Sequence, residues 1–335
     1  MRLTSEQRDR AAGVLLGQAI GDALGVPYEF APRVAPGEAR MIGGGLGPYA
    51  PGEWSDDTQM AICIARVSAT GADLTTASAL DEVAQGFIDW RTHGASDIGN
   101  LTAAVLAAGP DGTTSLSLRL TNAARRHAAS GSAGNGALMR TAVVGLTRLD
   151  DREATARSAA SVAALTHADR RCVASCVLWS EAVRVAVVDG LLDVRAGLDL
   201  LKPMERTRWT IHLDDAESHP SRTFEDNGYT VTALQAAWSA IWSTRHGSGT
   251  EHVTAALQCA VSIGSDTDTV AAIAGGLLGA CYGASALPKE LVAQVHGWPG
   301  LHAPGLEALA CDTAVRGLGA KPDADPSHVH HAGPE

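Results

Sequence analysis

Two short stretches concentrate side chains able to bind hard cations or move protons. Gly264-Ser265-Asp266-Thr267-Asp268-Thr269 sets two carboxylates and three hydroxyls directly ahead of an uncharged run, residues 270–288. Trp54-Ser55-Asp56-Asp57-Thr58 carries the same chemistry much earlier in the chain. Carboxylate and hydroxyl oxygens suit Mg2+ or Mn2+ better than zinc or copper. If the two stretches meet in space, they make a dinuclear metal site. Ser, Thr and Asp ahead of a helix are also ordinary N-caps, and Ser55 or Ser265 fits that role. One cap suffices per helix, however, and a second adjacent carboxylate adds repulsion and desolvation unless a cation offsets them. Acid pairs at two helix starts therefore favour a metal.

Further candidates are weaker one by one. Glu29 stands between Tyr28 and Phe30, at the head of a Pro- and Gly-rich stretch, residues 31–52, that cannot be a regular element. That stretch leads straight into Ser55-Asp56-Asp57 and could act as a lid hinged at Glu29; otherwise Glu29 is a surface acid. Asp97-Ile98-Gly99-Asn100 reads as a cap-like turn. Residues 130–136, Ser-Gly-Ser-Ala-Gly-Asn-Gly, form a loop whose backbone N–H groups can cradle phosphate, although no Lys-Ser/Thr follows to make a P-loop. His167, after Thr166, reads as a capping or core residue as readily as a functional one.

The elements that must position these residues are helical. Apolar spacing predicts helices over 4–24, 60–68, 77–90, 101–108, 121–129, 151–165, 170–189, 228–244, 252–263 and 270–283. Gly13, Gly17 and Gly21 recur every fourth residue, as do Gly275, Gly279 and Gly283. Glycine inside a helix costs about 1 kcal/mol against alanine, so two such ladders imply close backbone approach at the centre of a bundle, near the metals. Residues 204–227 turn polar and read as a surface insertion. The expectation is a single all-α domain over residues 1–320, with no internal repeat, and a disordered tail over 321–335.

Composition narrows the function. Hydrophobic residues make up 45% of the chain but aromatics only 4%, an Ala-rich core mix. A net charge of −11 argues against nucleic acid as a partner. Six cysteines show no Cys-x-x-Cys pair and sit mostly in apolar runs, which reads as a reducing cytoplasm. Cys172 and Cys176, with His167 upstream, could form a metal face but have no fourth ligand, so buried thiols are the better reading. No signal peptide is indicated, and residues 270–288 are too rich in Ala and Gly, with acids at their head, for a membrane span. A soluble cytoplasmic monomer is expected.

Taken together and in order, Gly21-Asp22-Ala23-Leu24-Gly25 with Glu29, Trp54-Ser55-Asp56-Asp57-Thr58, Asp97-Ile98-Gly99-Asn100, Gly134-Asn135-Gly136 with Met139-Arg140, Thr166-His167, Gly228-Tyr229 and Gly264-x-Asp266-Thr267-Asp268-Thr269 resemble the motifs of the ADP-ribosylglycohydrolase family. The set spans about residues 10 to 285 in family order; each motif alone is weak, and the ordered set is specific. The resemblance implies an all-α domain with two Mg2+ or Mn2+ ions held by Ser55, Asp56, Asp57, Asp266, Asp268 and Thr269. It implies Glu29, Asp97 and Asp56 as catalytic carboxylates, Asn100 on the ribose side, and Gly131, Ser132, Gly134, Asn135 and His167 around the ADP portion. The implied substrate is an ADP-ribosylated protein or other ADP-ribose conjugate, with arginine the default acceptor over serine. Cleaving the ribosyl C1″ bond passes through an oxocarbenium-like state, for which a metal centre can orient the ribose and a carboxylate handle the proton. Two rivals remain: a haloacid-dehalogenase-like phosphohydrolase, since Asp266-Thr267-Asp268-Thr269-Val270 fits a nucleophile loop that should end a strand, and a non-catalytic binder of ADP-ribose.

Overall fold

The computed structural model describes residues 2–109 and 112–318. Its first helix, α1 (Ser5–Gly25), starts at a capping box: the Thr4 hydroxyl accepts from the Gln7 N–H, and the Gln7 side chain accepts from the Thr4 N–H. Then follow α2 (Asp56–Ser68), α3 (Ala77–His93), α4 (Asn100–Leu106), α5 (Leu116–Ala129), α6 (Arg152–Ala164) and α7 (Arg170–Asp189). The second half holds α8 (Pro203–Ser218), α9 (Thr230–Ser243), α10 (Gly249–Ser262), α11 (Thr267–Tyr282), the single turn α12 (Lys289–Val292) and α13 (Ala303–Gly317). A minor antiparallel pair, β1 (His296–Gly297) and β2 (Leu301–His302), completes a compact helical domain.

The fold is built around α1 and α11, which make the most extensive helix pair among the described residues. They run antiparallel with backbones almost touching. A Cβ added at Gly13 would strike the Gly279 carbonyl, one at Gly17 the Gly275 carbonyl, and one at Gly21 the Ala271 carbonyl. The two ladders therefore interlock as expected, except that Gly283 lies outside them: it ends α11 at φ +87° over Asp9. The remaining helices wrap this pair, with α2, α7 and α13 against α1 and α7, α9 and α10 against α11. Both central helices are buried along almost their whole length, so their polar residues are polar in the interior.

Two expectations fail. Most of the stretch read as a polar surface insertion is α8, whose Trp209, Leu213 and Ala216 are buried against α9 while charges cover the other side. Asp266-Thr267-Asp268-Thr269 opens a helix and ends no strand, so the haloacid-dehalogenase reading loses its structural basis. The expected boundary at residue 320 and the tail 321–335 lie outside the described residues. No helix among the described residues is long and apolar enough to cross a membrane.

Candidate functional site

The glycine contact sets the C-terminal turns of α1 against the N-terminus of α11, and the acidic residues gather at that junction. A Cβ at Gly25 would overlap the backbone of Asp268, which shows how tightly the two ends are joined. Asp22, in α1, is fully buried. Its Oδ1 accepts from the Ser55 N–H at 2.8 Å and the Ser55 hydroxyl at 2.7 Å. Its Oδ2 accepts from the Thr58 N–H at 3.0 Å and the Thr58 hydroxyl at 2.6 Å. Asp22 thus caps α2 from a different helix. Ser55 occupies the N-cap position without making a capping bond of its own, so the ordinary-cap explanation does not hold for it. Its Oγ lies 3.0 Å from Asp57 Oδ2 and 3.2 Å from Asp268 Oδ2.

Asp266, at the N-cap of α11, likewise makes no side-chain capping bond. Asn135 Nδ2 donates to its Oδ2 at 2.8 Å, and its own N–H donates to Asn227 Oδ1 at 2.9 Å. Asn227 in turn donates to the Gly264 carbonyl and accepts, through its own carbonyl, from Asn135. Two buried asparagines therefore fasten the 130–136 loop, the turn before α9 and the turn before α11 to one another. A third attachment runs from the Phe30 N–H to the Ser265 carbonyl at 2.8 Å. Phe30 (φ +48°) and Ser265 (φ +64°) are the non-glycine residues in the left-handed region among those described. Such backbone strain, of order 1–3 kcal/mol each, persists where the surroundings over-determine it. Here it turns Glu29 towards α11.

Two acidic triads result. Carboxylate oxygens of Asp22, Asp57 and Asp268 lie within 4.8 Å of one another, as do those of Glu29, Asp266 and Asp268. Asp268 is common to both. Asp22 is nevertheless a support and not a free ligand, since each of its oxygens already takes two hydrogen bonds. Asp57 is the opposite case: its Oδ1 is buried without a hydrogen-bond partner among the described residues, an acceptor that a cation would satisfy. The donor set is all oxygen, so this cluster of acidic residues can bind a hard divalent ion. The protonation behaviour agrees. Burial, reinforced by neighbouring carboxylates, holds Asp56, Asp57 and Asp268 well above the usual carboxylate range. Burial brings Asp22 to about 6, and burial with Asp266, Asp97 and Asp56 close by pushes Glu29 to about 9. So many carboxyls stay ionised together only with a positive charge among them.

Above the centre is a cleft of about 520 Å3. Glu29, Asp56, Asp97, Asn100, Gly134, Asn135, His167, Asp266 and Thr269 line it, while Ser55, Asp57 and Asp268 are buried. Gly131 and Ser132 are not among the lining residues; the Gly131 carbonyl faces Arg171, whose Nη2 donates to it at 3.4 Å. Cys172 donates to the Gly134 carbonyl, and all six cysteines are free, so the alternative metal face does not form among the described residues. Sequence reasoning assigned no role to Asp22, Asn227 or Arg140. Asp22 had a signal, an acid inside an otherwise uncharged glycine ladder; Asn227 had none.

Comparison with known proteins identifies the family. A family model described as ADP-ribosylglycohydrolase matches residues 3–321. The chain is 31% identical over 301 residues to the ADP-ribosylarginine hydrolase Tri1 of Pseudomonas putida (strain GB-1), covering 88% of this chain and 76% of that protein. It is 27% identical over 287 residues to the ADP-ribosyl-(dinitrogen reductase) glycohydrolase of Rhodospirillum rubrum, covering 84% and 88% of the two chains. A solved structure titled ADP-ribosylglycohydrolase-related protein complex superposes with a TM-score of 0.65 at 25% identity, covering 94% of this chain and all of that one.

Proposed function

The chain belongs to the ADP-ribosylglycohydrolase family, and from that premise we propose that it is a divalent-cation-dependent hydrolase releasing ADP-ribose from an arginine side chain of a modified protein. The observation that carries the cation is the pair of acidic triads sharing Asp268, with the orphaned Asp57 Oδ1 in one of them and the cleft beside the other. Ser55, Asp57, Asp266, Asp268, Thr269 and Asp56 would hold two Mg2+ or Mn2+ ions. When bound, such ions supply positive charge that orients ribose hydroxyls and lowers the pKa of water.

The chain's own residues do the rest. Asn135 keeps Asp266 in place from the nucleotide side of the cleft, and the Gly134–Gly136 backbone leaves room for a phosphate-bearing group beside it. Glu29 belongs to one triad and also lines the cleft, where a carboxyl can exchange a proton with the attacking water. Asp97, which also lines the cleft, can pair with the departing guanidinium, since a planar cation with several donors matches a carboxylate. The arginine acceptor is supported by the printed name of the Pseudomonas relative and by the acidic wall of the cleft.

The test is release of ADP-ribose from an arginine-ADP-ribosylated protein and from a serine-ADP-ribosylated peptide, each with Mg2+, Mn2+ or a chelator, alongside Asp266→Ala. Expected is cation-dependent release from the arginine substrate, lost in the variant. Release from the serine peptide alone would move the acceptor to serine. Binding of ADP-ribose without any release would leave a non-catalytic binder.

A further inference from the structure

Arg140 is a fully buried cation that no carboxylate among the described residues pairs with. Its guanidinium lies over the Phe87 ring at 4.5 Å, Nη1 reaches Met60 Sδ at 3.5 Å, and Nε has no partner among the described residues. Burial lowers its pKa only to about 10, so it stays charged at neutral pH. An uncompensated buried guanidinium is costly, and its one strong hydrogen bond indicates what it is kept for. Nη2 donates to Thr166 Oγ at 2.6 Å.

That bond fixes a proton further on. A guanidinium has donors only, so Thr166 Oγ must be the acceptor. Thr166 is itself fully buried, and its single hydroxyl hydrogen has one acceptor in reach among the described residues, Nδ1 of His167 at 2.7 Å. If His167 carried its proton on Nδ1, that hydroxyl hydrogen would be buried with nothing to bond. Nδ1 is therefore bare and Nε2 carries the hydrogen. A second proton is disfavoured as well, because burial and the charge of Arg140 push the imidazole down to about 3. Nε2 has no hydrogen-bond partner among the described residues. It stands at the cleft wall, where a Cβ at Gly136 would come to 3.2 Å from it and one at Gly134 to 3.6 Å. Those two glycines leave it open to a ligand.

We propose that Arg140 and Thr166 are positioning residues: the chain from Arg140 Nη2 through Thr166 Oγ to His167 Nδ1 locks His167 as an Nε2–H tautomer, a donor and never an acceptor, aimed at an oxygen of the bound ligand. The identity of that oxygen as part of ADP-ribose rests on the function proposed above; the tautomer does not. A donor locked in this way favours an anionic or carbonyl oxygen and rejects a ligand N–H at the same place.

The tautomer is read directly from imidazole 15N shifts in long-range proton–nitrogen spectra of the full chain, with His167→Gln to assign the signal. In the unmodified protein and in Thr166→Ser, which keeps the hydroxyl, a protonated Nε2 and a bare Nδ1 are expected, unchanged between pH 5 and 8. In Thr166→Val, which keeps the shape and loses the hydroxyl, Nδ1–H becomes populated and ADP-ribose binds roughly tenfold more weakly by calorimetry. Nδ1–H in the unmodified protein would overturn the proposal without recourse to any variant. Equal ADP-ribose affinity in the unmodified and Thr166→Val proteins would overturn the positioning role. The expected tautomer pattern without ADP-ribose binding in the unmodified protein would leave the lock standing and sink the ADP-ribose reading instead.

Discussion

Asp22 accepts four hydrogen bonds beside carboxylates that must keep lone pairs free, and this division of labour is testable at a single atom. Asp22→Asn turns one acceptor oxygen into a donor facing either Ser55 or Thr58, so an N–H and a hydroxyl lose their acceptor together. The variant is expected to be less stable by about 2–3 kcal/mol in urea unfolding with chelator present. Its affinity for Mn2+, measured by calorimetry, should fall roughly 10- to 100-fold through displacement of Ser55 and Asp57. A variant with wild-type affinity would remove Asp22 from the centre. Residues such as Ser55, Asp56, Asp57, Asp266 and Asp268 were legible in the sequence because they cluster. Asp22 and Arg140 stood inside recognisable motifs, yet their roles were not legible, nor was Asn227 at all, since their partners lie far along the chain and only folding reveals the pairing.

The helix pair α1 and α11 was legible for a different reason: a glycine every fourth residue makes sense in a helix only if something lies against that side. Gly17→Ala separates two opposing effects. Alanine improves helix propensity by about 1 kcal/mol, but its methyl would overlap the Gly275 carbonyl, and backbone cannot move aside as a side chain can. Overpacking should win, with a net loss of about 2 kcal/mol in urea and a weaker hold on cations, because the same pair carries Asp22 and Asp268. Gly99→Ala, where nothing lies within 4 Å of an added Cβ, should cost less than about 1 kcal/mol, since losing glycine from the N-cap of α4 is offset by a less flexible unfolded chain. Equal losses in the two would refute the tight contact. Helix α8 was misread because Trp209, Leu213 and Ala216 are thinly spaced among charged neighbours, and local polarity hid a buried face that α9 supplies.

On the scale of the whole molecule, the buried acids tie stability to pH and to cations. Asp22 is raised from 3.8 to about 6 in the folded chain, so over that window the native state holds a proton that the unfolded state has lost. The stabilisation is complete below the unfolded value and is lost as pH rises through about 6; the other raised carboxyls act in the same sense. With chelator present, the melting temperature should fall between pH 5 and 8. Divalent cation competes with those protons, and at a hundred times its Kd adds about 2.7 kcal/mol, so the gap between loaded and stripped protein should widen as pH rises. Thermal melts across that range with Mg2+, Mn2+ or chelator decide it; a gap that narrows with pH would contradict a carboxylate centre.

The pairing of α1 with α11 also has a temporal side. During synthesis Ser5–Gly25 leaves the ribosome long before Thr267–Tyr282 is made, and its glycine side waits through most of translation for a counterpart. Any product halted before that point has Asp22, Ser55 and Asp57 but neither Asp266 nor Asp268. The acidic cluster thus comes into being late and all at once, and on the function proposed an interrupted chain has only half of it.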